Sequence, residues 1–126
     1  MFLDENLSGK ELREALESWG YEVHRPADHF ERGTPDVEWI TIVGRKGWLL
    51  LTKDRAIARK PAELAIFVKA RARAFFLAHG DLNRQEIVAS VEAALERIAR
   101  LVKKTRPPTL RKVSPTGHLR KFDDLP

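Results

Sequence analysis

The 126-residue sequence contains no cysteine. This absence excludes a disulfide framework and a thiolate zinc site, and it is compatible with the cytoplasm. No apolar run approaches the roughly 18 residues that cross a bilayer, and the start Met1-Phe2-Leu3-Asp4 has no basic segment followed by an apolar one. We therefore expect a cytoplasmic protein with no membrane segment and no signal peptide. Hydrophobic residues still make up 43% of the chain, which is enough for the core of one domain.

Charge is distributed unevenly along the sequence. Lys and Arg number 23 against 18 Asp and Glu, and most of the acids lie in residues 1–54. An acidic region on a basic body suits a metal-dependent enzyme acting on phosphodiesters, because the acids hold a metal and the basic groups hold phosphates. Charge alone equally allows a solvated surface tuned for solubility. The later basic residues are Arg71, Arg73, Lys103, Lys104, Arg106, Arg111, Lys112, Arg120 and Lys121.

Short apolar runs alternate with helical patterns. Strands are predicted at 2–3, 21–24, 48–52 and 71–77, and residues 25–33 read as a loop. Capping patterns predict helices from Ser8 to Gly20, from a Thr34 cap to about Val43, and from Asn83 to before Pro107. A further helix is predicted over 61–69, and the composition of 37–43 leaves a strand open there.

This alternation predicts an α/β fold in which helices flank a mostly parallel central sheet, in three layers. Residues 1–108 would form the domain, and residues 109–126 would add a C-terminal hairpin or arm belonging to it. The tryptophans Trp19, Trp39 and Trp48 lie beside apolar positions, which favours core packing over base stacking.

Acidic residues follow two of the predicted strands. Asp4 and Glu5 come directly after the first strand, Asp54 follows the run 48–52, and Asp36 opens a predicted helix between them. The ends of parallel strands meet at one edge, so these carboxylates would repel one another unless they shared a proton or a cation. Mg²⁺ or Mn²⁺ suits such oxygen ligands. Asp4 and Asp54 could also be turn residues, and Asp36 a favourable charge at a helix N-terminus.

These motifs resemble the PIN-like domains. The residues that carry the resemblance are the hydrophobic pair before Asp4-Glu5-Asn6, the segment Asp36-Val37-Glu38-Trp39-Ile40, and Gly47-Trp48 with Leu51-Thr52-Lys53-Asp54. More narrowly, the pattern is similar to compact PIN-like proteins of the VapC type, whose N-terminal signature is a hydrophobic pair and Asp-Glu-Asn. The resemblance covers roughly residues 2–57, and the later strand and helix agree only in order.

The resemblance implies a PIN-like sandwich and an Mg²⁺- or Mn²⁺-dependent endoribonuclease, commonly the toxin of a type II toxin–antitoxin pair. It implies that Asp4, Asp36 and Asp54 hold the metal and are catalytic, with Glu5 in the same catalytic motif. The metal would lower the pKa of a water that attacks phosphorus. The implied supporting residues are Thr52, which would orient a carboxylate or water, Asn6, which lies in the motif, and Lys53 or Arg55, which would stabilise developing charge.

The partners implied are RNA, a cognate antitoxin protein covering the basic rim, and a second copy of the chain in a homodimer. The homodimer is expected because a single subunit would not bury all the apolar surface of the long amphipathic helix and of the hairpin. RNA contact is a weaker hypothesis for the basic residues near the C-terminus, which are Lys103, Lys104, Arg106, Arg111 and Lys112.

The sequence also departs from the PIN-like pattern. Many relatives have a second acid two residues after the aspartate of the Thr-x-Asp motif, where this chain has Ala56, and only Asp81 and Glu63 are candidates for a fourth acid. A catalytically decayed PIN-like protein that binds nucleic acid or a partner therefore remains an alternative.

Two weaker hypotheses stay open beside it. One is a receiver-like phosphoacceptor domain, which needs a functional lysine such as Lys112 or Lys103. The other is a metal site at His24 and His29, which are five residues apart and more simply read as hydrogen-bonding loop residues.

Overall fold

The computed structural model describes residues 1–4, 7, 9–53, 61–77 and 82–122. No helix in this part of the chain is long and apolar enough to cross a membrane. The elements follow in the order β1 (Phe2–Leu3), α1 (Lys10–Ser18), α2 (Pro26–His29), α3 (Asp36–Lys46), β2 (Leu49–Thr52), α4 (Pro61–Lys69), β3 (Arg73–Leu77), α5 (Arg84–Lys104), β4 (Thr109–Val113) and β5 (Leu119–Arg120).

The strands form one five-stranded sheet in the order β1-β2-β3-β4-β5. Strands β1 to β4 are parallel, and β5 is antiparallel to β4. Helices cover both faces, which explains why the strands are continuous apolar runs without polar alternation. The predicted three-layer α/β fold with a mostly parallel sheet is confirmed, and residues 109–120 continue the same sheet as a hairpin.

Two hydrophobic cores lie on opposite faces of the sheet. Successive strand residues point to opposite faces, so Leu51 enters one core and Leu50 the other. The core around Leu51 is closed by α1 and α5, for example by Ile98, and is called the α1/α5 face. The core around Leu50 is closed by α3 and α4, for example by Phe67, and is called the α3/α4 face.

Two later segments of the chain pair with β1, one on each of its sides. After α1 the chain returns to the outer side of β1, where the amide of Leu3 donates to the oxygen of His24 at 2.9 Å and the amide of His24 donates to the oxygen of Met1 at 2.8 Å. After α3 it pairs with the other side of β1 as β2. The direction of winding therefore reverses between β1 and β2, and a crevice at the strand ends is expected at such a reversal.

The long helix α5 lies on the face opposite to α4. The connections β2–α4–β3 and β3–α5–β4 both advance by one strand, yet α4 packs on one face and α5 on the other. The two crossovers therefore have opposite hands, although about 98% of parallel crossovers are right-handed. On the α3/α4 face, Phe122 helps to cover the end of the sheet, with its ring edge-on to Phe76 at 5.2 Å between centroids.

The N-terminus of α5 is fixed by local hydrogen bonds. The Asn83 side chain accepts from the amide of Glu86 at 2.8 Å, and the Glu86 carboxylate accepts from the amide of Asn83 at 3.0 Å. These two bonds satisfy amides that the helix itself cannot pair. The predicted capping box is confirmed, and the helix ends at Lys104, before the prolines.

Several predicted boundaries are wrong. Residues 21–24 do not form a strand, because β1 has only two residues and His24 alone forms a bridge with it. The N-cap of α1 is Gly9 and not Ser8, which itself lies outside the described residues. Pro35 takes the N-cap position of α3, which extends to Lys46, and the predicted loop contains α2.

The aromatic residues pack inside the molecule. The Phe2 ring stacks with Trp39 and with Trp48, both at 5.8 Å between centroids, and Trp19 packs against the α1/α5 core. Core packing of the tryptophans is confirmed. The stripe of α5 that suggested a dimer is likewise buried against the sheet, and among the described residues the exposed large hydrophobic side chains are Val37 and Ile42.

Candidate functional site

Asp4 and Thr52 meet at the carboxyl ends of β1 and β2. The register places them side by side, because Leu3 is opposite Leu51 and the amide of Asp4 donates to the oxygen of Leu51 at 3.0 Å. The Thr52 hydroxyl donates to Oδ2 of Asp4 at 2.5 Å. Thr52 is fully buried, whereas Asp4 is half-buried. The hydroxyl thus fixes the orientation of a carboxylate that faces the strand ends.

This pair lies where the sheet topology expects a ligand. The winding reverses between β1 and β2, and both side chains project at the carboxyl ends of these two strands. In open α/β sheets, ligands bind in the crevice at this point. The fold therefore selects the Asp4–Thr52 edge as the candidate site before any chemistry is considered.

Asp36 opens α3 on the α3/α4 face. The helix leads into the start of β2 and runs back along the sheet, so its first turn lies toward the carboxyl edge that carries Asp4. Oδ1 of Asp36 accepts a hydrogen bond from Nε1 of Trp39 at 2.9 Å, and the Trp39 ring stacks on Phe2 in β1. Two contacts therefore link the exposed Asp36 to the strand that ends at Asp4.

Other predicted site residues have less structural support. Glu5, Asn6, Asp54 and Arg55 lie outside the described residues, as do the positions of Ala56 and Asp81. Lys53 directly follows β2 and is half-buried.

Glu63 is an acid to which the sequence pattern gave little weight. It stands in the first turn of α4, which leads from the carboxyl edge of β2 to the start of β3 on the α3/α4 face. Its Oε2 is buried, although the residue as a whole is only half-buried. An acid in the first turn of a helix is common for electrostatic reasons alone. The position of Glu63 therefore became informative only when the structure showed where α4 lies on the sheet.

The chemistry of this edge fits a hard divalent ion. Carboxylate oxygens are the ligands that Mg²⁺ and Mn²⁺ prefer, and a hydroxyl that orients such a carboxylate is a typical outer-shell contact. Within residues 1–4, 7, 9–53, 61–77 and 82–122, however, no three acidic or histidine side chains are grouped closely enough to hold a metal. Asp4 and Asp36 are the described members of the predicted set, and its third member, Asp54, lies outside that part of the chain.

The basic residues at the end of α5 lie at the opposite edge of the sheet. The guanidinium of Arg73, at the start of β3, donates to the oxygen of Thr105 at 2.8 Å and to Oγ1 of Thr109 at 3.1 Å. This contact ties the end of α5 to the amino ends of the strands. The predicted RNA contacts Lys103, Lys104 and Arg106 are therefore far from the Asp4 edge. Arg111 and Lys112 lie within β4 itself and are half-buried.

His24 and His29 form a hydrogen-bonded pair away from this edge. Nδ1 of His24 is 2.9 Å from Nε2 of His29, Oε1 of Glu22 is 3.0 Å from Nε2 of His24, and the His24 ring stacks on Trp48 at 4.1 Å. Desolvation by burial is the largest influence and lowers the pKa of His24; His29 and the N-terminal amine lower it further, while Glu22 and Asp28 raise it. Hydrogen bonds and ring packing therefore explain the positions of both histidines.

A family model described as a PIN-like domain matches residues 1–79. The match spans more than half of the chain, so the chain belongs to the PIN-like domain family. No curated protein and no solved structure gave a significant match. PIN-like domains are usually nucleases that use divalent metals, and membership favours this class over a receiver-like phosphoacceptor.

Proposed function

We propose that the protein is an Mg²⁺- or Mn²⁺-dependent endoribonuclease of the VapC type, the toxin of a type II toxin–antitoxin pair. The observation that carries the proposal is the hydrogen bond from Thr52 to Asp4 at the reversal of the sheet. A buried hydroxyl that orients a carboxylate at a ligand-binding crevice is what a metal-dependent hydrolase needs. Membership of the PIN-like family supports the same chemistry.

In this proposal Asp4, Asp36 and Asp54 hold the metal, and Glu5 and Asn6 belong to the same site. When bound, a divalent ion supplies an activated water and neutralises charge on the phosphate. Thr52 keeps the Asp4 carboxylate in one orientation through its hydroxyl. Lys53 and Arg55, next to this edge in sequence, stabilise the negative charge that grows on oxygen as the P–O bond breaks.

The test is cleavage of a structured RNA by purified protein with Mn²⁺, with a chelator, and with Asp4→Asn. Cleavage should require the ion and disappear in the variant. Asp28→Asn is the matched control, because Asp28 lies in α2 and pairs with Arg25 at 3.2 Å, outside the candidate site. Equal activity of Asp4→Asn and wild type would show that the nuclease site is elsewhere.

A second candidate is a decayed PIN-like protein that binds nucleic acid or a partner without cleaving. One observation favours it: Ala56 stands where many PIN-like relatives carry an acid. Calorimetry with millimolar Mn²⁺ separates the candidates. Heat of binding that Asp4→Asn abolishes supports the nuclease, and no binding by wild type supports the decayed site.

The proposed partners follow from the toxin assignment. A cognate antitoxin would cover the basic rim and insert a charged side chain near the acids. A homodimer also remains a proposal, although the α5 stripe that suggested it packs against the sheet. Light scattering of the purified chain, alone and with a candidate antitoxin protein, measures both associations directly.

A further inference from the structure

One row of side chains crosses the sheet close to its carboxyl edge. In the register, Thr52 is opposite Phe76, Phe76 is opposite Lys112, and Lys112 is opposite Arg120. Asp4 precedes Thr52 in this row through their hydrogen bond. Residues directly opposite one another on paired strands point to the same face. The row therefore begins with a carboxylate and ends with two cations on one face of the sheet.

The core contacts establish which face this is. Phe76 and Leu110, two residues before Lys112, belong to the core of the α3/α4 face. Leu119 packs against the opposite core, so its neighbour Arg120 points to the α3/α4 face. This is also the face on which α3 begins with Asp36.

The cationic end of the row is not covered by α5. The helix α5 packs on the α1/α5 face. On the α3/α4 face, Phe122 packs in the core that includes Leu110 of β4. Nζ of Lys112 lies over the Phe122 ring, 5.1 Å from its centre, and the lysine is half-buried. Arg120 is exposed. Among the described residues, no carboxylate forms an ion pair with either side chain.

The local charge is also unbalanced. Residues 97–126 contain nine of the 23 basic residues and two of the 18 acidic ones, so the rest of the chain is net acidic by two. Of these nine cations, Lys112 and Arg120 lie in the row that leads to Asp4, whereas Lys103 and Lys104 end α5 at the opposite edge.

We propose that Lys112 and Arg120 bind the phosphates of a single-stranded RNA that crosses the sheet edge toward Asp4 and Thr52. This inference rests on the proposed nuclease function. With strands about 4.8 Å apart, Lys112 lies about 10 Å and Arg120 about 14 Å from Thr52 along the row. The cations anchor the strand on the face of the carboxylates, and buried Phe76 between them offers no base-stacking surface. The contact is therefore to the backbone and independent of base sequence.

The experiment measures affinity for a fluorescent single-stranded RNA by anisotropy, in chelator, between 50 and 200 mM salt. The row variant is Lys112→Gln with Arg120→Gln, which keeps much of each side-chain stem. The matched control, Lys103→Gln with Lys104→Gln, removes the same charge at the opposite edge. Lys112→Arg with Arg120→Lys tests rescue, and thermal unfolding verifies each fold. If the double row variant fails to fold, exposed Arg120→Gln alone is compared with Lys104→Gln.

We expect the row variant to bind about tenfold more weakly and the slope of log K against log salt to fall by about 1.4, since each phosphate contact contributes about 0.7. The control and the charge-conserving variant should bind like wild type. Equal losses in row variant and control, an unchanged row variant, or no RNA binding by wild type would each overturn the inference.

Cleavage is scored separately, so the two proposals can fail independently. If Asp4→Asn abolishes cleavage but the row variant binds normally, only the RNA path is wrong. If wild type never cleaves but the row variant loses affinity, the RNA path stands and the nuclease assignment fails.

Discussion

At the scale of single residues, the contact between Thr52 and Asp4 is the one on which the site depends. The hydroxyl is buried and lies 2.5 Å from the carboxylate, and the sheet register holds both residues in place. The resemblance to PIN-like domains predicted that Thr52 orients a carboxylate or a water, but the sequence did not say which carboxylate. The role of Thr52 follows from its strand neighbour, which is 48 residues away along the chain.

Removing this hydroxyl should impair cleavage without unfolding the protein. Thr52→Val keeps the side-chain shape but cannot donate to Asp4, so we expect the cleavage rate to fall about 10- to 100-fold, as for other outer-shell groups. Thr52→Ser should retain most of the activity because it keeps the donor. The measurement is the rate with saturating Mn²⁺, with thermal unfolding as the check on folding. Equal rates for Thr52→Val and Thr52→Ser would contradict a role for the hydrogen bond.

His24 should make the folded state sensitive to mild acid. Burial lowers its pKa below the ordinary value of 6.5, so the unfolded chain binds this proton more readily than the folded chain. The His24 contribution to stability is complete above about pH 6.5 and is lost as pH falls through the lower folded pKa.

Urea unfolding at a series of pH values from about 8 to about 5 tests this dependence. His24→Gln should lose less stability across this range than wild type. His118→Gln, at an exposed position, is the matched histidine control. A His24→Gln curve as steep as the wild-type curve would assign the pH dependence to other groups.

At the scale of elements, local sequence signals specify some parts of the fold and fail at others. The Asn83–Glu86 capping box and the end of α5 before the prolines were readable because both depend on neighbouring residues. The segment 21–24 has strand composition but forms only one bridge, because its partner β1 is too short to extend the ladder.

The capping box supports a direct prediction. Asn83→Ala removes the acceptor for the Glu86 amide and should lower the free energy of unfolding by about 1 kcal/mol. Asn83→Ser retains a capping oxygen and should recover most of that loss. Urea denaturation of the three proteins measures the difference. Indistinguishable midpoints for Asn83→Ala and wild type would mean that packing alone fixes the start of α5.

At the scale of the whole molecule, the two faces of the sheet have different roles. The α1/α5 face is closed by the longest helix, whereas the α3/α4 face carries Asp4, Asp36 and the proposed RNA path. Close approach of α3 to the end of α4 helps to compact this second face. Gly44 in α3 lies so near the oxygen of Ala70 that a Cβ would stand 2.1 Å from it.

Gly44→Ala should therefore destabilise the protein. Alanine favours a helix by up to about 1 kcal/mol, but displacing a backbone carbonyl costs about 1–3 kcal/mol, so the clash should win. Gly9→Ala is the control, because its nearest neighbour would be 3.7 Å away and its φ of −64° suits any residue. Urea denaturation compares the two, and a stabilised Gly44→Ala would show that the helices can separate freely.

The sequence by itself determined the α/β alternation, the cap of α5 and the placement of Asp4 at a strand end, because periodicity, capping and strand ends are local properties. Tertiary structure alone decided which carboxylate the Thr52 hydroxyl binds, that α5 crosses to the opposite face from α4, and that Lys112 rather than Lys103 lies in the row with Asp4. Register and crossover hand are set by packing between distant segments, and no short window of sequence records which strand lies beside which.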